Sequence, residues 1–359
     1  MKYLKHRVYG LLFSLFKRTH IYDNRISFII DSGESFKGNL DYIKKEFEKR
    51  GDFEFYFFYK DKLSFSNFKL LASSHYIFLN DNFFPLAFMK FNSGNTVVQL
   101  WHAPGAFKKF GGSVDFESRP ALKKAGENTD FLIISSKNIQ DYYSEAFQIP
   151  KSKIKPLGLP RADYYFEDHD INDLKSKFFE KYGVSEDKKI ILYAPTFRDE
   201  EKYNNVFNFL DLEKFNESLG DEYILALRLH PKIKDFYKDD ISAKGKYIDC
   251  SDYASEQELL LISDILITDY SSIMIEFAML SKPIVFFTYD FDSYLNKERG
   301  FYFDFKSTVP GHVVYDSDQL IDVIKNNDFD KSKMSEFVKT QFDAIDGQSS
   351  KRVVDFLLK

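Results

Sequence analysis

The stretch "DILITDYSSIMIEFAMLSKPIVFF", residues 264 to 287, predicts the fold of the second half of this chain. Two apolar runs, "ILITD" (265 to 269) and "PIVFF" (283 to 287), have the length and composition of buried strands. The apolar residues between them, 272 to 280, predict a buried helix. A strand, a helix and a second strand in this order indicate a parallel sheet covered by helices.

Four polar or aromatic residues, Asp269 to Ser272, interrupt that apolar stretch where the strand ends and the helix begins. Ligands of doubly wound sheets bind beyond the carboxyl ends of strands. A helix start offers unpaired N–H groups to an anion, and the hydroxyls of Ser271 and Ser272 add donors. A phosphate would therefore fit there. A serine that only caps the helix is the simpler interpretation, and both stay open at this point.

The same alternation runs through most of the chain. Helices are predicted near 38 to 50 and over 171 to 182 and 255 to 262. The other predicted strands are 26 to 30, 53 to 58, 76 to 79, 96 to 100, 131 to 135, 189 to 194, 223 to 229 and 246 to 250. The pattern predicts an α/β fold with two doubly wound parallel-sheet domains and a cleft between them.

Segment boundaries follow from breaks in this pattern. Pro156, Gly158 and Pro160 indicate an inter-domain connection. We predict a basic amphipathic helix over 1 to 20, a Rossmann-like domain over 21 to 158, a second over 159 to 335 and a helical segment over 336 to 359.

Composition narrows the class of protein. The chain has 359 residues, 44% of them hydrophobic and 40 of them Phe, which suits two domains with large cores. Its net charge of -5 provides no general attraction for nucleic acid. A single cysteine, Cys250, excludes an internal disulfide framework and is compatible with the cytosol.

The N-terminus combines apolar and basic residues. Leu4, Val8, Leu11, Leu12 and Leu15 recur at helical spacing, with lysines and arginines around them. Such a helix can lie on anionic lipid, or it can dock on the protein's own core, and the sequence leaves both open. No apolar run reaches the roughly 20 residues that cross a bilayer, and no small-residue cleavage site follows the helix.

Three predicted strands run into cationic or imidazole side chains at their carboxyl ends. They deliver His102 with Gly105 and Lys108, Thr196 with Arg198, and Arg228 with His230. Histidine suits proton transfer near neutral pH, and arginine suits phosphate. A lone histidine is usually structural, but two at equivalent strand ends are harder to dismiss.

Motifs of several other chemistries are missing from the sequence. We find no P-loop, metal-binding Cys/His spacing, G-x-S-x-G elbow, G-x-G-x-x-G fingerprint or acid pair for glycoside hydrolysis. Transfer chemistry on an anionic substrate remains.

Eight ordered segments resemble the CDP-glycerol glycerophosphotransferase family, which includes teichoic acid primases, polymerases and related capsule enzymes. They are "VVQLWHAPGAFKKFG", "LGLPRADYYF", "ILYAPTFRD", "LRLHP", "DILITDYSSIMIEFAMLSKPIVFFTYDFDSY", "RGFYFDF", "VPG" and "DGQSSKRVVDFL". They fall within residues 95 to 358, so the resemblance covers most of the chain.

The resemblance implies a GT-B-like pair of Rossmann-type domains, an N-terminal acceptor domain and a C-terminal domain that binds a CDP-polyol. It implies His102 as the base and His230 as a donor to the diphosphate. The implied substrate-binding residues are Arg228, Ser271, Ser272, Asp269, Thr196, Arg198, Arg161, Glu276, Arg299, Gly105 and Lys108. Glu276 stands where the family often has Asp, and either a ribose contact or a local structural role is open.

The implied reaction moves glycerol phosphate or ribitol phosphate from CDP-glycerol or CDP-ribitol to a lipid-linked saccharide or polyol-phosphate acceptor, and releases CMP. We expect no required cofactor and no metal ligands, although an assisting Mg²⁺ stays compatible. We expect a peripheral location on the inner face of the cell membrane and no nucleic-acid partner. The alternatives are a GT-B glycosyltransferase that uses a sugar nucleotide and a catalytically dead nucleotide-binding scaffold.

Overall fold

The chain folds around two parallel sheets of six strands each. The computed structural model describes residues 3–32, 35–234, 247–298 and 300–359. Two units result: unit 1 contains Met1–Phe166 with Thr340–Lys359, and unit 2 contains Glu167–Lys339. The predicted α/β class with two doubly wound parallel sheets is confirmed.

Unit 1 has the strand order β2-β1-β3-β4-β5-β6. Its strands are β1 (Tyr22–Ile30), β2 (Glu54–Tyr59), β3 (Ser74–Leu79), β4 (Thr96–Gln99), β5 (Phe131–Ile134) and β6 (Ile154–Pro156). The chain direction across the sheet reverses between β1 and β3, which makes the carboxyl ends of these two strands the topological switch point.

Helices cover both faces of this sheet. They are α1 (Leu4–Ser14), α2 (Asn39–Glu48), α3 (Phe65–Ala72), α4 (Arg119–Glu127) and α5 (Gln140–Phe147). Phe13 of α1 and Phe68 of α3 belong to the core on one face, and Phe47 of α2 belongs to the core on the other.

Unit 2 has the order β12-β11-β10-β7-β8-β9, which is the Rossmann order read from its far edge. Its strands are β7 (Lys189–Ala194), β8 (Tyr223–Leu227), β9 (Ile248–Asp249), β10 (Ile265–Thr268), β11 (Ile284–Phe287) and β12 (His312–Val314). The switch point lies between β7 and β10. Of the strand predicted over 246 to 250, residue 246 lies outside the described residues.

The remaining helices are α6 (Ile171–Tyr182), α7 (Leu212–Leu219), α8 (Glu256–Ile262), α9 (Ile273–Met279), α10 (Phe291–Lys297), α11 (Phe305–Thr308), α12 (Ser317–Lys325), α13 (Met334–Gln341) and α14 (Ser349–Leu357). Helix α6 has the predicted bounds because Asp170 caps its start and Gly183, at φ 64°, ends it.

Two segment predictions need correction. The predicted boundary at 158 falls later, between Phe166 and Glu167. The predicted separate C-terminal segment is part of unit 1, because Val353 and Val354 of α14 lie in the same core as α2 and Tyr76 donates a hydrogen bond to the Leu357 carbonyl. The apolar face of α14 therefore completes a core that begins near the N-terminus.

The N-terminal helix docks on its own unit. Tyr9, Gly10 and Phe13 are buried, and Gly10 lies so close to Phe88 that an added Cβ would be 2.3 Å from the Phe88 carbonyl oxygen. Across the described ranges, no helix combines the length and the apolar character that a bilayer crossing requires.

Candidate active site

Four neighbouring strands of unit 1 each place one titratable side chain at their carboxyl ends. In sheet order these are Lys60 after β2, Asp31 after β1, Asp81 after β3 and His102 after β4. The strands are in parallel register, with Ile30 beside Tyr59 and Leu79 beside Gln99, so the residues that follow them meet at one edge. We call these four residues the unit 1 cluster.

Lys60 joins the two carboxylates of the cluster. Its Nζ lies 2.5 Å from Asp31 Oδ1 and 2.6 Å from Asp81 Oδ2. Burial raises the pKa of Asp31 to about 6, although the hydrogen bond from Lys60 opposes this shift. Burial alone would also raise the pKa of Asp81, but Lys60 and His102 outweigh it and lower that pKa. Asp81 is therefore the carboxylate that stays ionised as the pH falls.

His102 lies beside Asp81, with 3.7 Å between Nδ1 and Asp81 Oδ1. Its side chain keeps 48% of its surface exposed, but the loss of hydration among the surrounding protein atoms lowers its pKa. The negative charge of Asp81 opposes this shift, and the positive charges of Arg161 and Lys60 add to it. The result is an imidazole that is neutral at pH 7 and able to accept a proton.

The backbone before His102 is held by two buried amides that the sequence analysis did not identify. Trp101 has φ 59°, a conformation that costs energy for a bulky residue. Gln99 accepts a hydrogen bond from the Trp101 N–H and donates one to the Asp81 carbonyl. Asn39 donates to the Trp101 carbonyl and accepts from the Arg161 N–H. The sequence did contain a signal for these two residues, since Gln99 lies near the end of an apolar predicted strand and Asn39 lies at the start of a predicted helix.

Unit 1 also contains three other predicted site residues, Arg161, Gly105 and Lys108, and only some of them lie near His102. Arg161 lies close enough to His102 to lower its pKa, so the structure brings these two together. Gly105 is buried at φ 53°, and its carbonyl accepts a hydrogen bond from Tyr143, so it supplies turn geometry. Lys108 is half-buried in the same loop.

In unit 2 the predicted phosphate site follows β10, at the switch point. Ser271 and Ser272 are half-buried. Ser272 makes no capping hydrogen bond to the described backbone of α9. Ser271 Oγ accepts only a 3.5 Å contact from the Ile273 N–H, at the outer limit of a hydrogen bond. The simpler interpretation, a serine that caps the helix, is therefore weakly supported here.

Arg198 and Asp269, predicted as substrate-binding residues, make their observed contacts within unit 2. Arg198 is 1% exposed and donates to Asp290 through Nε and Nη2 and to Asp269 through Nη1. Asp269 is fully buried and also accepts from the Thr196 N–H. These buried charges pair with one another, because an unpaired charge in the core would destabilise the fold. They hold the ends of β7 and β10 together.

Arg228 also binds its own unit. Its Nη1 donates to the carbonyls of Cys250 and Tyr253, each at 3.1 Å, so it fixes the loop after β9. His230 is exposed, and its Nδ1 accepts a 3.2 Å hydrogen bond from the Lys232 N–H. In the neutral imidazole this assigns the proton to Nε2, which makes Nε2 a donor.

The remaining predictions for unit 2 stay predictions. Thr196 is half-buried, and its Oγ1 is buried without a hydrogen-bond partner among the described residues. Glu276 is fully buried in the first turn of α9, where its carboxyl group lies near the positive end of the helix dipole. Arg299 lies outside the described residues.

With this geometry in place, comparison with known proteins assigns the family. A model of the family "CDP-Glycerol:Poly(glycerophosphate) glycerophosphotransferase" matches residues 11–359. The chain belongs to this family. The resemblance predicted from the eight segments is thereby confirmed.

Relatives of this glycerophosphotransferase-family chain are named for ribitol phosphate or glycerol phosphate, and as polymerases or primases. The chain is 35% identical over 366 residues to a teichoic acid poly(ribitol-phosphate) polymerase of Bacillus spizizenii. The alignment covers 98% of this chain and 59% of that protein. The chain is also 35% identical over 290 residues to a teichoic acid glycerol-phosphate primase of Bacillus subtilis, covering 78% of itself and 73% of the relative. The chain thus spans less than two thirds of the polymerase's length.

A solved structure has the same fold. A variant of the wall teichoic acid polymerase TagF superposes with a TM-score of 0.83 at 25% identity, over 99% of this chain and 94% of that chain. The GT-B-like architecture predicted from the sequence agrees with this similarity.

Proposed function

We propose that this chain transfers a polyol phosphate, glycerol phosphate or ribitol phosphate, from a CDP-polyol to a hydroxyl of a lipid-linked teichoic acid or capsular acceptor. CMP is the released product. The observation that carries the proposal is His102 at the carboxyl end of β4, neutral at pH 7 and beside the ionised Asp81. Family membership and the relatives' printed activities support the reaction class.

The roles follow from the chemistry of each side chain. His102 takes the proton of the acceptor hydroxyl, whose oxygen attacks the β-phosphorus. The bond from that phosphorus to the bridging oxygen breaks, and CMP leaves with the electron pair. His230 Nε2–H and the hydroxyls of Ser271 and Ser272 stabilise the charge of the diphosphate. Arg198 acts indirectly, because it holds the backbone from which Ser271 projects.

We propose that the reaction needs no protein-bound metal. Asp31, Asp81 and His102 place potential ligand atoms within 4.8 Å of one another. They do not fit Mg²⁺, because the Lys60 ammonium lies between the two carboxylates and would repel a second cation. Mg²⁺ also prefers oxygen ligands in octahedral geometry. Turnover in EDTA should stay within about twofold of turnover in Mg²⁺, and a large loss that Mg²⁺ restores would contradict this.

We further propose a peripheral position on the cytoplasmic face of the membrane. The exposed side of α1 carries Leu4, Val8 and Leu11, and Leu15 directly follows the helix; 64, 44, 68 and 68% of their surfaces are exposed. Arg7, Lys17 and Arg18 are exposed nearby. An apolar stripe flanked by cations suits anionic lipid, and a lipid-linked acceptor would be found there.

Vesicle flotation tests this position. The wild type should float with phosphatidylglycerol vesicles and much less with phosphatidylcholine vesicles. Leu11→Glu with Leu15→Glu should abolish flotation, whereas Leu295→Glu, at a leucine that is 45% exposed in unit 2, should not. Equal flotation of both variants would contradict a role for α1.

The reaction is tested with purified chain, a lipid-linked saccharide acceptor and CDP-glycerol or CDP-ribitol in separate arms. Release of CMP and an acceptor mass increased by whole polyol-phosphate units are the expected result. Release of a nucleoside diphosphate from a sugar nucleotide would support a glycosyltransferase instead. CDP-polyol binding without turnover would support a catalytically dead scaffold.

A further inference from the structure

The unit 1 cluster forms a row at the switch point, with Lys60 between the two carboxylates and Asp81 between Lys60 and His102. Lys60 bonds Asp31 on one side and Asp81 on the other, and Asp81 lies 3.7 Å from His102. Each residue follows a different strand, so the row depends on the sheet order and on no local sequence motif.

We propose that Asp81, held by Lys60 and Asp31, is the positioning residue of His102 and stabilises the imidazolium that forms when His102 accepts the acceptor proton. This inference rests on the proposed function of His102. Asp81 touches no substrate and acts only through the imidazole.

The charges around His102 explain why a carboxylate is needed. Burial among protein atoms, Arg161 and Lys60 all disfavour the protonated imidazole, whereas Asp81 and a hydrogen bond to the Asn80 backbone favour it. Without Asp81 the ring would be neutral but a poor proton acceptor, because nothing charged would stabilise its product.

Asp81 keeps its negative charge to a lower pH than Asp31 does, because His102 acts on it in addition to Lys60. Both carboxylates are partly buried, but Asp81 gains from Lys60 and His102 together and has a lowered pKa, whereas that of Asp31 is about 6. Asp31 keeps the ammonium in place from the opposite side. Gln99 donates a hydrogen bond to the Asp81 carbonyl and so holds the backbone of Asp81 beside the end of β4.

The proton balance of the step is simple. The acceptor O–H bond breaks and an N–H bond forms on His102, while the new O–P bond replaces the bond to CMP. Asp81 stays ionised throughout and receives no proton. The imidazolium returns its proton to solvent or to the leaving phosphate after transfer.

The test compares Asp81→Asn with Asp61→Asn, which removes an exposed carboxylate next to Lys60 in sequence. The midpoint of the His102 titration is measured by NMR on ¹³C-histidine protein, with His102→Gln to assign the signal. In Asp81→Asn this midpoint and the acidic limb of kcat/KM for CMP release should both move to lower pH, and kcat/KM should fall about 10-fold or more. Asp61→Asn should change none of these.

Lys60→Met should shift the His102 midpoint in the opposite direction, and it provides an independent test if Asp81→Asn does not fold. Removal of the ammonium should move the His102 midpoint to higher pH, because Lys60 lowers that pKa. If CMP release falls in Asp81→Asn while the NMR midpoint of His102 and the acidic limb of kcat/KM both stay unchanged, Asp81 is merely structural and the inference is overturned. An unmoved midpoint in Lys60→Met overturns it too.

The two proposals fail separately. If the wild type releases no CMP but the His102 midpoint still shifts in Asp81→Asn, the proposed function is rejected and the interaction between Asp81 and His102 is kept. Normal CMP release by the wild type with an unshifted midpoint in Asp81→Asn would do the reverse.

Discussion

Arg198 and Asp290 form a bidentate pair in the interior of unit 2, with Nε–Oδ2 2.8 Å and Nη2–Oδ1 3.0 Å. The guanidinium also faces the rings of Tyr270, Tyr289 and Tyr294, at 5.2, 5.3 and 5.6 Å from their centroids. This pair connects the loop after β7 to the loop after β11, with Asp269 after β10 between them.

Loss of Arg198 should destabilise unit 2 severely. Arg198→Met leaves Asp269 and Asp290 buried without their cation, which should lower the free energy of unfolding by about 3 to 5 kcal/mol. Urea unfolding followed by circular dichroism measures this. Lys214→Met breaks the exposed Lys214–Asp318 pair and should change the free energy of unfolding far less, because solvent and salt screen this pair. Equal costs for the two variants would show that Arg198 is not the organising charge.

Loss of the His102 imidazole should reduce turnover while donor binding persists. His102→Ala should lower kcat for CMP release by about 10² to 10⁴-fold, the usual contribution of a general base. The affinity for CDP-glycerol, measured by calorimetry, should change little. His75→Ala, a half-buried histidine near the amino end of β3, is the matched control and should retain activity. An unchanged rate in His102→Ala would remove it from the mechanism.

Loss of the hydroxyls after β10 should weaken donor binding. Ser271→Ala and Ser272→Ala should each raise the Kd for the CDP-polyol about 10-fold, since a hydrogen bond to a charged group contributes about 1.5 to 3 kcal/mol. Ser255→Ala is the control, because Ser255 caps α8 through the Glu258 N–H. That variant should lose about 1 kcal/mol of stability and bind normally. The reverse pattern would mark Ser271 and Ser272 as ordinary caps.

Asp31 should make stability depend on pH. Its folded pKa is about 6 and its ordinary value 3.8, so between these values the folded state holds a proton that the unfolded state has lost. The contribution of this group to the free energy of unfolding should therefore fall as the pH rises through that window. Above about pH 6 Asp31 is ionised in both states, and its burial then destabilises the fold by the full amount. Urea unfolding at a series of pH values should show this decline, and Asp31→Asn should flatten it. An identical pH dependence in both proteins would contradict the shift.

The chain order of strands and helices could be predicted from sequence because it depends on local apolar periodicity. Helix α6 was predicted to the residue, since a capping Asp170 and a left-handed Gly183 mark its ends. The attachment of α14 to unit 1 could not be predicted, because its apolar face is complementary to a core far away in sequence. The same limit applies to Asn39 and Gln99, whose amides contact backbone from other segments.

The sequence by itself determined two parallel sheets, the family, and the position of His102, His230 and Ser271 at strand ends, because strand length and the residues after each strand are local properties. Only the tertiary structure decided which charges are available. Burial turned Arg198 and Asp269 into an internal pair, and strand order placed Asp31, Lys60 and Asp81 beside His102. The energy of a charge depends on neighbours and hydration, and both are set by residues distant in the chain.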